Sequence, residues 1–349
     1  MSVSVDIRKS FGDFTLDVRF EAGQETLSLL GDSGCGKSMT LRCIAGVIRP
    51  DEGVITINGR TVFDSSRKIN LKPQQRRVGY LFQNYALFPN MTIVENIMAG
   101  LERRKDINKK ERRELAMRYV DQFKLGGMED RYPSEISGGQ QQRTALARIL
   151  VSDPQILLLD EPFSALDSHL RFRMEQEVRE VIQSFGKTVI LVSHDRDEVF
   201  RLSDKIAVMD QGNVDVFGTK HEVFADPQTR NACILTGCKN ISPIRKLDDY
   251  HLVATDWNME LETARPIGDA SYIGIRHHDT NGEGEVNTYL CDVDNVIENP
   301  FSYTVLLRLA SQPGSAAFGW ELDKQLWHKV QSEQIEIHVP PESILLLKE

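Results

Sequence analysis

The stretch Gly31-Asp32-Ser33-Gly34-Cys35-Gly36-Lys37-Ser38 limits most strongly what this chain can fold into. It reads G-x-x-x-x-G-K-S and lies between an apolar run, Thr26 to Leu30, and a helix-like one, Met39 to Ala45. A strand, a glycine-rich turn and a helix in that order form a phosphate-binding loop. The glycines let the backbone turn sharply and point successive N–H groups at phosphate oxygens, and the helix adds its positive N-terminal end. In that setting Lys37 reaches the β- and γ-phosphates, and the Ser38 hydroxyl ligates Mg2+.

The rest of the first two thirds supplies a frame for such a loop. Gln155 to Asp160 and Thr188 to His194 are short, nearly all-apolar runs that end in polar residues, the mark of buried parallel strands. With helix-like stretches between them they imply a mainly parallel, doubly wound α/β sheet. From Thr92 to about Leu125 the apolar residues recur at helical spacing, so a helical insertion is expected there. Ligands of such sheets bind outside the carboxyl ends of the strands. Asp160 stands at one of these ends and can hold Mg2+. Glu161 follows it and can polarise a water against a γ-phosphate. His194 ends the second run; it is either structural or a hydrogen-bond donor to that phosphate. Gln83, at the end of the run Arg76 to Gln83, is placed to touch Mg2+ or the attacking water. Phe11, in a turn, either stacks on a base or fills a small core. Ser137-Gly138-Gly139-Gln140 makes a second helix start with a capping serine and glycines that permit close approach to an anion. One such loop suffices for one nucleotide, so the second points to another chain's nucleotide.

Composition excludes several classes. Among 349 residues, 40% are hydrophobic and 27% charged, as in ordinary globular proteins. The net charge of -9 argues against nucleic acid as a partner. No apolar run approaches the roughly 18 residues that span a bilayer. The N-terminus lacks the basic start and apolar core of a signal peptide, so a cytoplasmic chain is expected. The five cysteines, Cys35, Cys43, Cys233, Cys238 and Cys291, contain no C-x-x-C pair and read as reduced thiols. Cys35, beside a lysine and a helix start, sits where a thiol pKa falls. After a boundary near Leu235-Thr236-Gly237, short strands with turn residues between them suggest a small barrel or sandwich.

In this order the segments resemble the ATP-binding cassette (ABC) family. Gly31 to Ser38 resembles its Walker A motif and Gln83 its Q-loop. Ile136 to Gln140 resembles the signature, with Ile136 in place of the usual Leu. Leu157 to Pro162 is similar to Walker B with the catalytic Glu161, Ser164-Ala165-Leu166-Asp167 to the D-loop, and His194 to the switch histidine. The fold implied is α/β: a P-loop NTPase of the ABC cassette type over 1–235, with a helical subdomain at about 84–150. Beyond it, 236–349 resembles the all-β, OB-like regulatory (TOBE) domain of bacterial importer ATPases. There, Gly274-Ile275-Arg276-His277-His278-Asp279 has His277 at the place of the family's proline. The His pair reads either as a metal site or as a solvated turn.

The resemblance implies an ATPase at the cytoplasmic side of the membrane, a homodimer bound to permease subunits and served by a periplasmic or lipid-anchored solute-binding protein. Two ATP molecules with Mg2+ are sandwiched between Walker A of one copy, through Met39, and Ser137 to Gln140 of the other. Arg131 matches a position that approaches the partner's nucleotide in maltose-type cassettes. The segments Arg76 to Pro89 and Thr236 to Asn240 resemble molybdate- and sulfate-type ATPases, so molybdate or a similar oxyanion (sulfate, tungstate) is the expected solute. Ferric iron, polyamine or sugar is the alternative, and a soluble ABC ATPase outside transport a more distant one. Gln83 to Pro89, with exposed Tyr85 and Leu87, is the expected groove for a permease helix.

Overall fold

The protein is described by a computed structural model at residues 2–164, 168–281 and 284–349. It divides into two units, Met1–Lys220 and His221–Glu349. In the first unit a hairpin, β1 (Val3–Phe11) and β2 (Phe14–Ala22), precedes β3 (Thr26–Leu30), the phosphate loop and α1 (Lys37–Ala45). Then come β4 (Glu52–Ile57), β5 (Arg60–Asp64), β6 (Ile69–Asn70), α2 (Pro73–Arg76) and β7 (Val78–Leu81). Three helices follow, α3 (Ile93–Ala99), α4 (Lys109–Gln122) and α5 (Gly138–Leu150). The unit closes with β8 (Ile156–Asp160), α6 (Ser168–Phe185), β9 (Val189–Ser193), α7 (Arg196–Leu202), β10 (Lys205–Asp210) and β11 (Asn213–Thr219).

These strands make one sheet in the order β6-β5-β4-β1-β2-β11-β10-β3-β9-β8-β7. The expectation of a mainly parallel sheet holds only for the run β10-β3-β9-β8-β7, in which every pairing is parallel. From β6 to β2 every pairing is antiparallel. Chain connection accounts for part of the difference: short turns join β1 to β2, β4 to β5 and β5 to β6, whereas a parallel neighbour needs a longer crossover, usually a helix. Strands β3, β8 and β9 are buried at all of their positions, as strands covered on both faces must be. Helices α3, α4 and α5 pack with Leu157, Leu159, Val189 and Leu191 in one core cluster. The hairpin, α1, Ile156, Leu158, Ile190 and Val192 form another.

The phosphate-loop helix is fixed at its far end by a buried cation. Arg76, 2% exposed, donates to the carbonyls of Cys43 (2.8 Å) and Ile44 (2.9 Å) in the last turn of α1. It also donates to the Leu71 carbonyl and the Asn70 side chain, both at 2.9 Å. Burial lowers its pKa to about 10, which still leaves it charged at neutral pH. A charge at this end satisfies orphan carbonyls and opposes the negative end of the helix dipole. The opposite end of α1 stays open for an anion.

In the second unit α8 (Lys220–Ala225) and α9 (Arg230–Leu235) precede β12 (Asn240–Lys246), β13 (His251–Ala254), β14 (Met259–Glu262) and β15 (Tyr272–Ile275). The remainder is β16 (Thr288–Glu298), β17 (Ser302–Leu309), β18 (Phe318–Asp323), α10 (Lys324–Val330), β19 (Gln334–His338) and β20 (Leu345–Leu347). Two antiparallel sheets result, β14-β13-β12-β15-β20 and β18-β17-β16-β19. One core cluster draws on both sheets, from Leu252 and Ile273 to Val305 and Trp320. This all-β arrangement is consistent with an OB-like domain. Among the described residues no helix is long and apolar enough to cross a membrane.

Candidate functional site

Strand β3 delivers the chain to the loop and α1 carries it away. Gly36 stands at the helix start with φ of 107°, a left-handed conformation that suits glycine, and no side chain caps the helix there. A Cβ on Gly36 would lie 2.6 Å from Leu16 Cδ1. The backbone N–H groups that follow are therefore free of a competing cap, as an anion site requires. Lys37 is 5% exposed, and its ammonium donates to the carbonyls of Gly31 (2.6 Å) and Asp32 (2.7 Å). Met39 packs partly against the core. Burial raises the Cys35 pKa, and the Lys37 charge only partly opposes this, so the expected low-pKa thiol is corrected.

Three side chains meet at the end of β8. Ser38 Oγ donates to Asp160 Oδ1 at 2.7 Å, and Tyr80 OH donates to Asp160 Oδ2 at 2.8 Å. Asp160 is 3% exposed. Burial and the Asp160 carboxylate push the Tyr80 pKa upward, so its hydroxyl stays protonated and a donor. An aromatic in a strand reads as core, which hides Tyr80 from sequence reasoning. The available signal was its place three residues before Gln83, on the strand that pairs with β8 in parallel.

Glu161, the next residue, has φ of 45°, rare for a residue with a side chain. Its N–H donates to the Val192 carbonyl at 3.0 Å, while its own carbonyl accepts from Ser164 Oγ at 3.0 Å. Such a conformation costs of order 1–3 kcal/mol and persists where the surroundings fix it. Glu161 Oε1 lies 3.6 Å from His194 Nδ1, beyond the end of β9. Gln83 Nε2 donates to Ser164 Oγ at 3.1 Å. Thus Lys37 and Ser38, Asp160 with Tyr80, and the group Glu161, His194, Ser164 and Gln83 lie at the carboxyl ends of neighbouring strands. Of the D-loop-like segment, Ala165, Leu166 and Asp167 lie outside the described residues.

Other expected site residues fall elsewhere. Phe11 ends β1, half-buried, its ring 6.4 Å from that of Phe14. Arg131 is exposed, and its carbonyl accepts from Ile93 N–H at 2.9 Å. Ser137 starts α5 in a capping box with Gln140: Ser137 Oγ accepts from Gln140 N–H (3.4 Å), and Gln140 Oε1 from Ser137 N–H (2.8 Å). Ser137 and Gly138 are exposed, while Gly139 packs on Met174 of α6. Among the described residues no hydrogen bond links 137–140 to the loop at 31–38 or to Asp160. Tyr85, expected to be exposed, is 5% exposed and packs into the helical core, and Leu87 packs against the same core. Phe88 is the exposed aromatic of that segment. The Arg148 guanidinium lies 5.2 Å over its ring and donates to the carbonyls of Tyr85 (2.9 Å) and Ala86 (2.8 Å). His277 is half-buried, and among the described residues no group of three potential metal ligands is found.

Residues 15–164 match the ABC transporter family. The sulfate/thiosulfate import ATP-binding protein CysA 2 of Chromobacterium violaceum is 35% identical over 294 residues, 83% of this chain and 78% of that protein. The chain belongs to the ABC transporter family. Its cassette is also 43% identical, over 242 residues, to the Fe(3+) ions import ATP-binding protein FbpC of Brucella abortus (strain 2308). That match takes in 68% of this chain and 66% of the relative's length. Among solved structures, the dimeric post-hydrolysis state of the ATP-binding cassette MJ0796 bound to ADP and Pi superposes with a TM-score of 0.54. It is 29% identical and covers 63% of this chain and 99% of that one. In ABC terms, Walker A and Walker B face one another through Ser38 and Asp160, whereas the signature is closed on itself by its own cap.

Proposed function

We propose that this ABC protein is the ATP-hydrolysing subunit of a bacterial importer. The observation that carries the reading is the convergence of Lys37, Ser38, Asp160, Glu161 and His194 on the carboxyl ends of β3, β8 and β9. Walker A, with an uncapped helix start and a buried lysine, fits the phosphates of ATP. The hydroxyl of Ser38 and the carboxylate of Asp160 are hard oxygen donors side by side, the set Mg2+ prefers. When bound there, Mg2+ supplies positive charge to the β- and γ-phosphate oxygens. Lys37 binds the same oxygens, and Tyr80 orients Asp160. Glu161 accepts the proton of the attacking water, and His194 donates to the γ-phosphate. Gln83, through Ser164, ties this chemistry to the helices.

The self-capped signature supports a head-to-tail homodimer, with Ser137 to Gln140 and Arg131 of one copy turned to the nucleotide of the other; the dimeric cassette of the solved relative is in keeping with this. Phe88, exposed and backed by Arg148, marks the permease groove, and the chain works at the cytoplasmic face of the membrane. For the solute we favour an oxyanion of the molybdate or sulfate type, because the sulfate/thiosulfate relative matches over 83% of the chain, beyond the cassette. Ferric iron is the second reading, favoured by the higher identity of the iron relative. Glu161→Gln tests the enzyme assignment: ATP still binds, hydrolysis falls by about 10²–10⁴-fold, and a dimer accumulates with ATP in size-exclusion chromatography. Hydrolysis at the parent rate would refute Glu161 as the base. Co-purified permease and solute-dependent ATPase in vesicles would then separate the oxyanion from iron.

A further inference from the structure

Helix α9 ends in a left-handed turn at Gly237, with φ of 96°. Cys238 N–H donates to the Cys233 carbonyl (3.0 Å), and Gly237 N–H to the Ile234 carbonyl (2.9 Å). This paired closure is the Schellman motif, which ordinarily brings two apolar side chains together at the positions held here by Cys233 and Cys238. Both thiols are buried, at 0% and 3% exposure. They face Gly274 of β15. The place a Cβ would take on Gly274 is 2.7 Å from Cys233 Sγ and 3.2 Å from Cys238 Sγ, which limits the sulfur separation to 5.9 Å, the total of those distances. We propose that Cys233 and Cys238 form a dithiol modification site that reacts with a small anionic disulfide, of the oxidised-glutathione kind, and closes to an intramolecular disulfide.

The surroundings fit that reagent. Cys238 lines a cavity of about 510 Å³ together with Arg230, Lys239, Asp256 and Tyr272. The Arg230 guanidinium lies 5.1 Å over the Tyr272 ring, so two cations against one carboxylate border the approach to the sulfur. Arg276, held by the Thr236 carbonyl at 2.9 Å, adds a third positive charge on the inner side. The Cys238 thiol donates to the Asn240 carbonyl at 3.4 Å; the neighbouring Cys233 holds its pKa below the ordinary range, with the Arg276 charge assisting, while Cys238 and burial push Cys233 up. Cys238, which lines the cavity, is thus the nucleophile, and Cys233, fully buried behind it, the resolving thiol. By contrast, burial pushes Cys43 and Cys291 up to about 12.

In the first step the Cys238 thiolate attacks one sulfur of the small disulfide. The old S–S bond breaks, a mixed disulfide forms and one small thiolate leaves. Cys233 gives its proton to that thiolate and attacks Cys238 Sγ, expelling the second small thiolate, which takes up from solvent the proton Cys238 had released. Two protein thiols are oxidised by two electrons and one small disulfide is reduced to two thiols.

The full-length chain, reduced and then treated with oxidised glutathione, is the test, read by alkylation of remaining thiols and peptide mass spectrometry. Cys233 and Cys238 are expected to become resistant to alkylation together, at least about tenfold faster than Cys291, in a peptide lighter by two hydrogens. Cys233→Ser should trap one glutathione on Cys238, and Cys238→Ser should leave Cys233 unmodified. Should either variant fail to fold, the parent chain alone decides. Loss of Cys233 and Cys238 no faster than Cys291, or glutathione adducts spread equally over all five cysteines, would overturn the proposal.

Discussion

Two helix starts in this ABC protein are built from glycines and small polar residues, and they solve opposite problems. At α1 the cap is Gly36, which brings no side chain to the N–H groups, and a buried arginine occupies the far end of the helix. At α5 the cap is Ser137, and with Gln140 it satisfies two N–H groups from within the helix. The first leaves its hydrogen-bonding capacity to an incoming anion. The second stands complete and exposed, and an anion there must displace a side chain. On the proposed reading, the first start would take its anion directly, and the second would engage only when something is pressed against it.

The largest effect is expected where the contrast is steepest. Gly36→Val forces a β-branched residue to a φ of 107° and against Leu16 Cδ1, which should cost about 3 kcal/mol. Nucleotide binding should be lost with it, read by thermal unfolding with and without Mg-ATP. A variant as stable as the parent would mean that the uncapped start tolerates a side chain. Ser38→Ala and Tyr80→Phe probe the metal side of the first start. Tyr80→Phe leaves Asp160 Oδ2 without its donor and should raise the Mg2+ needed for half-maximal ATPase by about 10-fold, with ATP binding in EDTA unchanged. An unchanged Mg2+ requirement would reduce Tyr80 to packing. Ser137→Ala is the mildest. It removes the cap of α5 at about 1 kcal/mol of stability, visible in a urea titration, while nucleotide binding to single copies stays at the parent level. If monomer binding fell as well, the two starts would not be separate devices.

Much of this contrast was legible in the sequence. G-x-x-x-x-G-K-S between an apolar run and a helical pattern fixes a backbone course, because few other arrangements meet its demands on φ and on anion binding. Asp160 and His194 were legible because four or more buried apolar residues before a polar one mark where a parallel strand ends. Tyr80 was hidden, since its ring belongs to the core and only its hydroxyl to the site. Tyr85 was misjudged because the segment after Gln83 has no periodicity that tells inside from outside; Arg148, far along the chain, settles it by gripping the carbonyls of Tyr85 and Ala86. In the second unit β12, β14 and β18 are hard to read, because Pro243 interrupts the first and charged residues break the apolar runs of Met259–Glu262 and Phe318–Asp323. The capping of Ser137 by Gln140 was written in the sequence as Ser-x-x-Gln, but a glycine pair between them reads equally as a cradle.

The hold of Lys37 on the carbonyls of Gly31 and Asp32 has a further consequence. The ammonium is a tethered guest of its own loop, so on the proposed reading nucleotide binding is an exchange: two carbonyl oxygens would be given up for phosphate oxygens. A ligand with more charge at the far end of its phosphate chain would be the better competitor. A nucleoside monophosphate, with the same base and sugar, would have to evict the lysine without offering it a better host. Such an exchange would sort ligands by the charge of their tail rather than by their base.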